Sequence, residues 1–194
     1  MEKSPLIKYI SNSIDLTQDE VDIITEYTKQ RKYLKGQFIV QQGDICRNES
    51  FVVNGCAKTF HIDKEGQEHI VTFAIENWWA SDFGSFITQT PADYNVQCLE
   101  NTEVVQFSYE SLQIMFDKVP KMERFVRVVS QKAYVASQKR IIRNFSMSAR
   151  EQYLKFKQLY PQIEQRVPQY MIASYLGITK EFLSKIKSQL ISEQ

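Results

Sequence analysis

Little cysteine, little histidine and no long apolar run set the first limits on this chain. The three cysteines, Cys46, Cys56 and Cys98, are odd in number and far apart, with no CxxC among them. That pattern offers neither a disulfide framework nor zinc or iron–sulfur spacing, so all three read as free thiols. The two histidines, His61 and His69, sit in strand-like runs and read as structural or surface groups. No apolar stretch approaches the roughly 18–20 residues a membrane helix needs, and no membrane partner is expected. The opening Met1-Glu2-Lys3-Ser4-Pro5 lacks the basic and then apolar regions of a signal peptide, which predicts a cytoplasmic protein. No glycine-rich phosphate loop, nucleophile–base pair or metal cluster stands out. An enzyme is therefore not expected, and no catalytic residue or metal ligand is assigned.

What the chain does have is an uneven distribution of charge. Hydrophobic residues make up 43% and charged residues 24%, ordinary proportions for a globular protein, and 194 residues suffice for one or two buried cores. The formal net charge of +1 conceals a division. Residues 1–118 carry 10 Lys and Arg against 18 Asp and Glu, a net of −8, while residues 119–194 carry 14 against 5, a net of +9. Such asymmetry points to a nucleic-acid partner for the basic half, bound in a salt-dependent way. Docking of the basic half on the acidic half is the alternative.

Along the chain the apolar period changes twice. Thr17-Gln18-Asp19-Glu20 is a capping box that opens an amphipathic helix through Val21, Ile24 and Tyr27, expected to run to about Lys29. From residue 33 to 107 the apolar runs become short: 38–40, 51–53, 58–62, 69–75, 96–99 and 104–107. Gly, Asp and Asn separate them, which predicts six strands in a compact antiparallel roll or barrel. Helix resumes at Ser108-Tyr109-Glu110. After Pro120 a long helix is expected to about Asn144, with Met122, Val126, Val129, Ala133 and Ala136 spaced 4, 3, 4 and 3 residues apart. That spacing predicts an a/d seam joining two copies in a homodimer; a helix packed on its own domain would show the same stripe. Ser148-Ala149-Arg150-Glu151 is a second capping box, its helix ended by Pro161, and residues 162–167 read as a short link.

The final stretch carries the sharpest signal. Ile172, Ala173 and Leu176 form one apolar face of a short helix. Gly177 follows where a helix C-terminus calls for a left-handed residue, and Thr179 can cap a second helix. In that helix Leu183, Ile186 and Leu190 make the buried stripe, and Lys180, Glu181, Ser184, Lys185 and Ser188 the exposed one. This is a helix-turn-helix pattern. Its second helix can enter a major groove, where lysine donates to guanine O6 and N7 and glutamate accepts from cytosine N4. An ordinary helical hairpin with solvated lysines would share the glycine turn and the small residues.

Taken in order, roll, long helix and helix-turn-helix resemble the Crp/Fnr family of bacterial transcription regulators. The resemblance rests on Gly36 and Gly43-Asp44 around Phe38-Ile39-Val40, on Phe51-Val52-Val53-Asn54-Gly55, and on Leu176-Gly177-Ile178-Thr179-Lys180-Glu181-Phe182-Leu183-Ser184-Lys185-Ile186. It covers about residues 17–190. It implies an α+β chain. Residues 1–118 would form an N-terminal antiparallel β-roll (double-stranded β-helix) of the cyclic-nucleotide-binding type with flanking helices. Residues 119–145 would form a dimerisation helix, and residues 146–194 an all-α helix-turn-helix domain. The implied function is sequence-specific regulation of transcription by a homodimer that reads a near-palindrome in double-stranded DNA. Lys180, Glu181 and Lys185 fall at the family's base-reading positions, with Thr179 and Ser184 beside them. Gln169, Tyr170 and Lys187, with Arg143 or Arg150, are candidates for phosphate contacts. RNA polymerase is the further partner that activation would require.

Two departures from the family pattern shape the expectation. The family's effector pocket uses a glycine–glutamate turn for the ribose and then an arginine for the phosphate. The equivalent residues here include Trp79, Ser81, Asp82, Asp93, Tyr94 and Asn95, and no arginine occurs between Arg47 and Arg124. Asp93 lies near where the arginine belongs, and a carboxylate repels a phosphate. Binding of cAMP is therefore expected to be weak or absent, and no cofactor is assigned. An unidentified small-molecule effector, or filling of the cavity by Trp78, Trp79 and their neighbours, is left. The family's iron–sulfur branch also clusters cysteines near its N-terminus, and this chain has none there. The second departure is the absence of a β-hairpin wing beside the helix-turn-helix. A small-molecule-binding or protein-interaction module without DNA activity is the rival reading.

Overall fold

The computed structural model describes residues 4–193, so Met1-Glu2-Lys3, read above for a leader, lie outside the described residues. Two short helices open the chain. Helix α1 (Pro5–Ser11) has Ser4 as its cap and buries Leu6, Ile7 and Ile10. Helix α2 (Gln18–Glu26) begins with the expected capping box, Thr17 and Glu20 bonding reciprocally. Seven strands follow: β1 (Lys29–Tyr33), β2 (Phe38–Val40), β3 (Asn48–Asn54), β4 (Ala57–Ile62), β5 (Glu68–Ala74), β6 (Asn95–Cys98) and β7 (Thr102–Ser108). They form two antiparallel sheets, one ordered β1-β7-β3 and the other β2-β6-β4-β5. Helix α3 (Phe83–Thr88) lies between β5 and β6, and α4 (Tyr109–Lys118) leads to the long α5 (Lys121–Ser146). The C-terminal part is helical: α6 (Ala149–Leu159), α7 (Pro161–Arg166), α8 (Gln169–Tyr175) and α9 (Lys180–Ser192).

The differences from the sequence reading have local causes. Helix α2 stops at Glu26, and residues 29–32 pair with β7 as a seventh strand. All four of those side chains are exposed, so no apolar alternation marks the strand, and pairing alone makes it. The supposed link at 162–167 is mostly helix α7, begun by Pro161 and anchored by buried Ile163. Helix α5 places Met122 in the protomer's own core, 1% exposed beside Phe125. Met122 therefore does not belong to a seam between copies.

Two cores share the work. The first lies inside the roll, where Phe51, Val52, Phe86 and Val104 meet Leu6 and Ile10 of α1 and Met122 and Phe125 of α5. The second joins the roll to the C-terminal helices: Phe60, Ile70, Phe73 and Ile75 pack with Tyr153, Phe156, Ile163, Ile172, Leu183 and Ile186. Polar contacts finish this junction. Strand β5 is the edge of its sheet, and an edge strand leaves backbone groups unpaired. Ser174 of α8 supplies both missing partners, accepting from the Ile70 N–H at 3.0 Å and donating to the Glu68 carbonyl at 3.1 Å. Arg140 of α5 donates to the Val71 carbonyl and stacks 4.2 Å over the Tyr175 ring.

Arg166, at the end of α7, closes the junction. Its guanidinium binds both oxygens of Glu100, at 3.0 and 2.7 Å, and both oxygens of Glu76, at 2.7 and 3.1 Å. Glu76 also accepts from the Gly55 N–H at 2.8 Å. Gly55 has φ +108, and a Cβ there would lie 2.7 Å from the Thr102 backbone, so the tight β3–β4 turn admits only glycine. Replacing Arg166 with alanine leaves two adjacent carboxylates without their cation. The expected cost is about 1–3 kcal/mol of stability, the upper end reduced because these side chains are partly solvated. Thermal unfolding with and without added salt measures it, and an unchanged midpoint would show that the clamp contributes nothing.

Candidate nucleic-acid interface and effector cavity

The hairpin α8–α9 is built as its sequence suggests. Gly177 takes φ +68. The Ile178 N–H bonds the Ala173 carbonyl at 3.0 Å and the Gly177 N–H bonds the Ser174 carbonyl at 3.1 Å. This crossed pair is the Schellman closure of a helix C-terminus. Thr179 then caps α9, its hydroxyl accepting from the Phe182 N–H at 3.2 Å. Leu183 and Ile186 are buried under the helix, and Ile172 and Ala173 under its partner.

Lys180, Glu181, Ser184, Lys185 and Ser188 are exposed along one side of α9. Among the described residues no ion pair engages Lys180, Glu181 or Lys185. Gln169 and Tyr170 are exposed at the start of α8, beside them in sequence but on the other helix. Phe182 was not assigned a role from sequence, yet its ring is 48% exposed at the N-terminal end of α9. The signal was its place just after Lys180 and Glu181, off the Leu183–Ile186 stripe. Apolar groups there can meet a thymine methyl.

Lys187 is placed differently from the expectation. Its ammonium lies 3.4 Å from Glu164 and faces the Tyr153 ring at 5.9 Å, so it is occupied within its own domain. The Arg150 guanidinium likewise pairs with Glu193. No strand follows β7 among the described residues, and helix α7 occupies the stretch before the hairpin.

In the roll, the residues expected around an effector do not converge on one point. Asp82 is buried and structural. One carboxylate oxygen caps α3 by accepting from the Ser85 N–H at 3.0 Å. The other accepts from the backbone N–H groups of Asp93 and Tyr94, at 2.9 and 3.1 Å. Asp82 thus ties together the two loops that would hold a ribose and a phosphate, and it uses the amides a phosphate would need. Asn95 is buried and accepts from the Gln42 N–H. The Asp93 carbonyl contacts His61 Nδ1 at 2.9 Å. Lys58, a buried cation of the roll, is committed to Glu68 and lies 3.9 Å over the Phe60 ring.

Trp79 and Ser81 instead face a cavity of about 310 Å³ between the roll and α5. Its walls include Glu49, Phe83, Phe86, Phe107, Phe125, Val126, Val129, Ser130 and Ala133. Three of the expected seam residues, Val126, Val129 and Ala133, therefore turn toward the roll. Further along, α5 is exposed all round: residues 131–139 are exposed, and Val135, Ile142 and Phe145 remain 46%, 62% and 87% accessible. The three cysteines are buried, and burial pushes the Cys46 thiol up to about 11 and the Cys56 thiol to about 12. Among the described residues no group of His, Cys, Asp and Glu could hold a metal ion, and no helix is long and apolar enough to cross a membrane.

An antiparallel roll, a long helix and a capped helical hairpin make up a two-part chain. A model of the cyclic nucleotide-binding domain matches residues 30–119. The chain is 29% identical over 120 residues to the transcriptional activator protein anr of Pseudomonas aeruginosa, covering 61% of this chain and 48% of that one. It therefore spans about half the length of that relative. It is 26% identical over 196 residues to the fumarate and nitrate reduction regulatory protein of Vibrio cholerae, covering 91% and 77%. The fold is that of the c-di-GMP-responsive global regulator CLP of Xanthomonas campestris, at TM-score 0.74, 14% identity and coverage of 91% and 93%. It is likewise that of the Thermus thermophilus catabolite activator protein, at TM-score 0.58, 18% identity and coverage of 95% and 87%. Residues 30–119 match the cyclic nucleotide-binding domain, and the chain as a whole is similar to regulators of Crp/Fnr type.

One group in the cavity is under strain. Glu49 is 5% exposed, accepts from the Ser81 hydroxyl at 2.6 Å and has no cation beside it. Burial, with Asp82 nearby, raises its carboxyl from 4.5 to about 7. Below about pH 4.5 the group is protonated in folded and unfolded chains alike. Between about 4.5 and 7 only the unfolded chain ionises, so stability falls, and above 7 a constant penalty remains. Glu49→Gln is expected to raise stability by about 2–3 kcal/mol near pH 8 and to change it little near pH 4. Denaturant unfolding at both pH values measures this, and an equal effect at the two would contradict it.

Proposed function

We propose that this protein is a homodimeric, sequence-specific DNA-binding regulator of transcription whose recognition helix is α9. The observation that carries the proposal is the exposed, unpaired face of Lys180, Glu181, Ser184 and Lys185 on a rigidly capped hairpin within the half of the chain that carries a net charge of +9. The names of the relatives support it. Helix α9 is 13 residues long, about 20 Å at the usual rise, a length that lies along a major groove. Tyr170 and Gln169, at the start of α8, are the phosphate-contact candidates, and Thr179 serves as the cap that holds the base-reading residues in place.

The dimer reading moves to a new face of α5. Val128, Val135 and Ile142 recur at seven-residue spacing and Phe145 continues the same side, a heptad stripe a helix pair can bury, with Gln131 and Gln138 beside it. Apolar groups this exposed on a helix open to solvent over two turns favour a second copy of the chain as their cover. Two copies joined there would present two α9 helices to half-sites about one helical turn, roughly 34 Å, apart.

Cyclic-nucleotide control is not part of the proposal. Asp93 stands where a phosphate would call for a cation, and the Asp93 and Tyr94 amides are already bonded to Asp82. A small molecule of other chemistry is the effector this reading favours, with the roll as its receptor and α5 as the link to the hairpin. The rival, a ligand-binding module whose hairpin meets a protein, accounts less well for the concentration of positive charge in the C-terminal half.

Selection from a random double-stranded DNA pool at two salt concentrations tests the proposal. An enriched near-palindrome with steep salt dependence is the expected result. Lys185→Ala should relax preference at one position in each half-site, costing about 1–3 kcal/mol there. Salt-independent binding, or equal weakening on every sequence, would contradict the assignment of α9 as the reading helix.

A further inference from the structure

The cavity between the roll and α5 has a composition that selects its occupant. At about 310 Å³ it is twice the size of a roughly 150 Å³ apolar cavity that accepts benzene, and it lies at the lower end of ligand-site volumes. Trp79, Phe83, Phe86, Phe107 and Phe125 line it, and no lysine or arginine does. Glu49, Thr72, Ser81 and Ser130 are the polar residues of this otherwise apolar wall. Glu49 is a buried carboxyl whose only hydrogen-bond donor among the described residues is Ser81. The indole N–H of Trp79 is buried and has no acceptor among the described residues.

A carboxyl in an aromatic wall without a cation is a costly arrangement unless a ligand completes it. An anionic ligand would meet repulsion from Glu49 and from Asp82 behind it. A cation would gain a charge-assisted hydrogen bond to Glu49 and the faces of the surrounding rings. We propose that this cavity is a binding site for a small cationic amine with an apolar body of ring size or larger. The ammonium sits on Glu49, and the body lies among the rings, against Val129 and Ala133 of α5. The site borders the first of the loops that Asp82 ties together, through Ser81 and Phe83. Because Val129, Ala133 and the exposed stripe at 135–145 lie on one helix, an occupant fixes the helix that would carry the dimer contact. This deepens the effector part of the function proposed above and rests on that part alone.

The test uses the full chain and three probes of matched size: phenylbutylamine, phenylbutanol and phenylbutyrate. Binding is followed by calorimetry and by the fluorescence of Trp79 in a Trp78→Phe background. The amine is expected to bind about tenfold or more tighter than the acid, with the alcohol between them. Glu49→Gln, which keeps the acceptor for Ser81, should abolish the preference for the amine while the alcohol still binds. Ala133→Leu, which narrows the cavity at an exposed position, should weaken all three. Equal affinity for amine and acid, preference for the acid, no binding of any probe, or a preference that survives Glu49→Gln would each overturn the proposal. DNA retention of the same protein is measured separately, so loss of the ligand site and loss of the regulator reading are told apart.

Discussion

The open edge of β5 is the constraint on which the rest of the molecule turns. A strand with unpaired N–H and C=O groups must find partners or invite another chain. Here the partners come from elements more than sixty residues away in sequence, Ser174 on α8 and Arg140 on α5. The hydrogen bonds that finish the sheet are therefore the ones that hold the hairpin against it. Arg166 adds an electrostatic version of the same link, joining the acidic half of the chain to the basic half through Glu76 and Glu100. This arrangement shows how the two oppositely charged halves meet. One arginine of the basic half docks on the acidic half, while Lys180 and Lys185 are left facing outward.

Helix α5 is the element that divides its faces between these tasks. Its first turns, with Met122 and Phe125, belong to the core of the roll. Its middle, through Val129, Ser130 and Ala133, closes the aromatic cavity. Its last turns carry Arg140 to the β5 edge and leave Ile142 and Phe145 uncovered. One rigid rod thus touches the cavity, the candidate dimer face and the junction to the hairpin. A shift of α5 at the cavity cannot leave the other two unaffected, which is the physical route by which occupancy of the roll would alter the spacing of two α9 helices.

Much of this was legible in the residues, and the reasons are specific. The capping boxes at Thr17 and Ser148, the Gly177 turn and the Thr179 cap are local devices, set by a few consecutive side chains, and they appear where the sequence placed them. Strand β1 was illegible because its Lys29, Gln30, Arg31 and Lys32 are all exposed and only its pairing with β7 defines it. Two stripes coexist on α5. The one with small alanines begins at Met122, which is buried in the protomer's own core, and ends at Ala133 and Ala136, which are exposed. In the roll, Asp93 was singled out from sequence for its charge, and its carbonyl contacts His61 Nδ1. The Asp82 carboxylate that bridges the two loops depends on contacts that no sequence interval reveals. Glu49 was given no role from sequence, since nothing in Asn48-Glu49-Ser50 signals that its carboxyl faces a wall made largely of aromatic rings.

The most direct test of the central claim, that paired α9 helices lie in adjacent major grooves, uses the burial of all three cysteines. A cysteine introduced at exposed Ser188 becomes the accessible thiol, to which a DNA-cleaving iron chelate is attached. Cleavage of a selected DNA site should fall in two clusters related by symmetry, about one helical turn or roughly 34 Å apart. Cleavage scattered along the duplex, a single cluster, or none above that of the free chelate would contradict it.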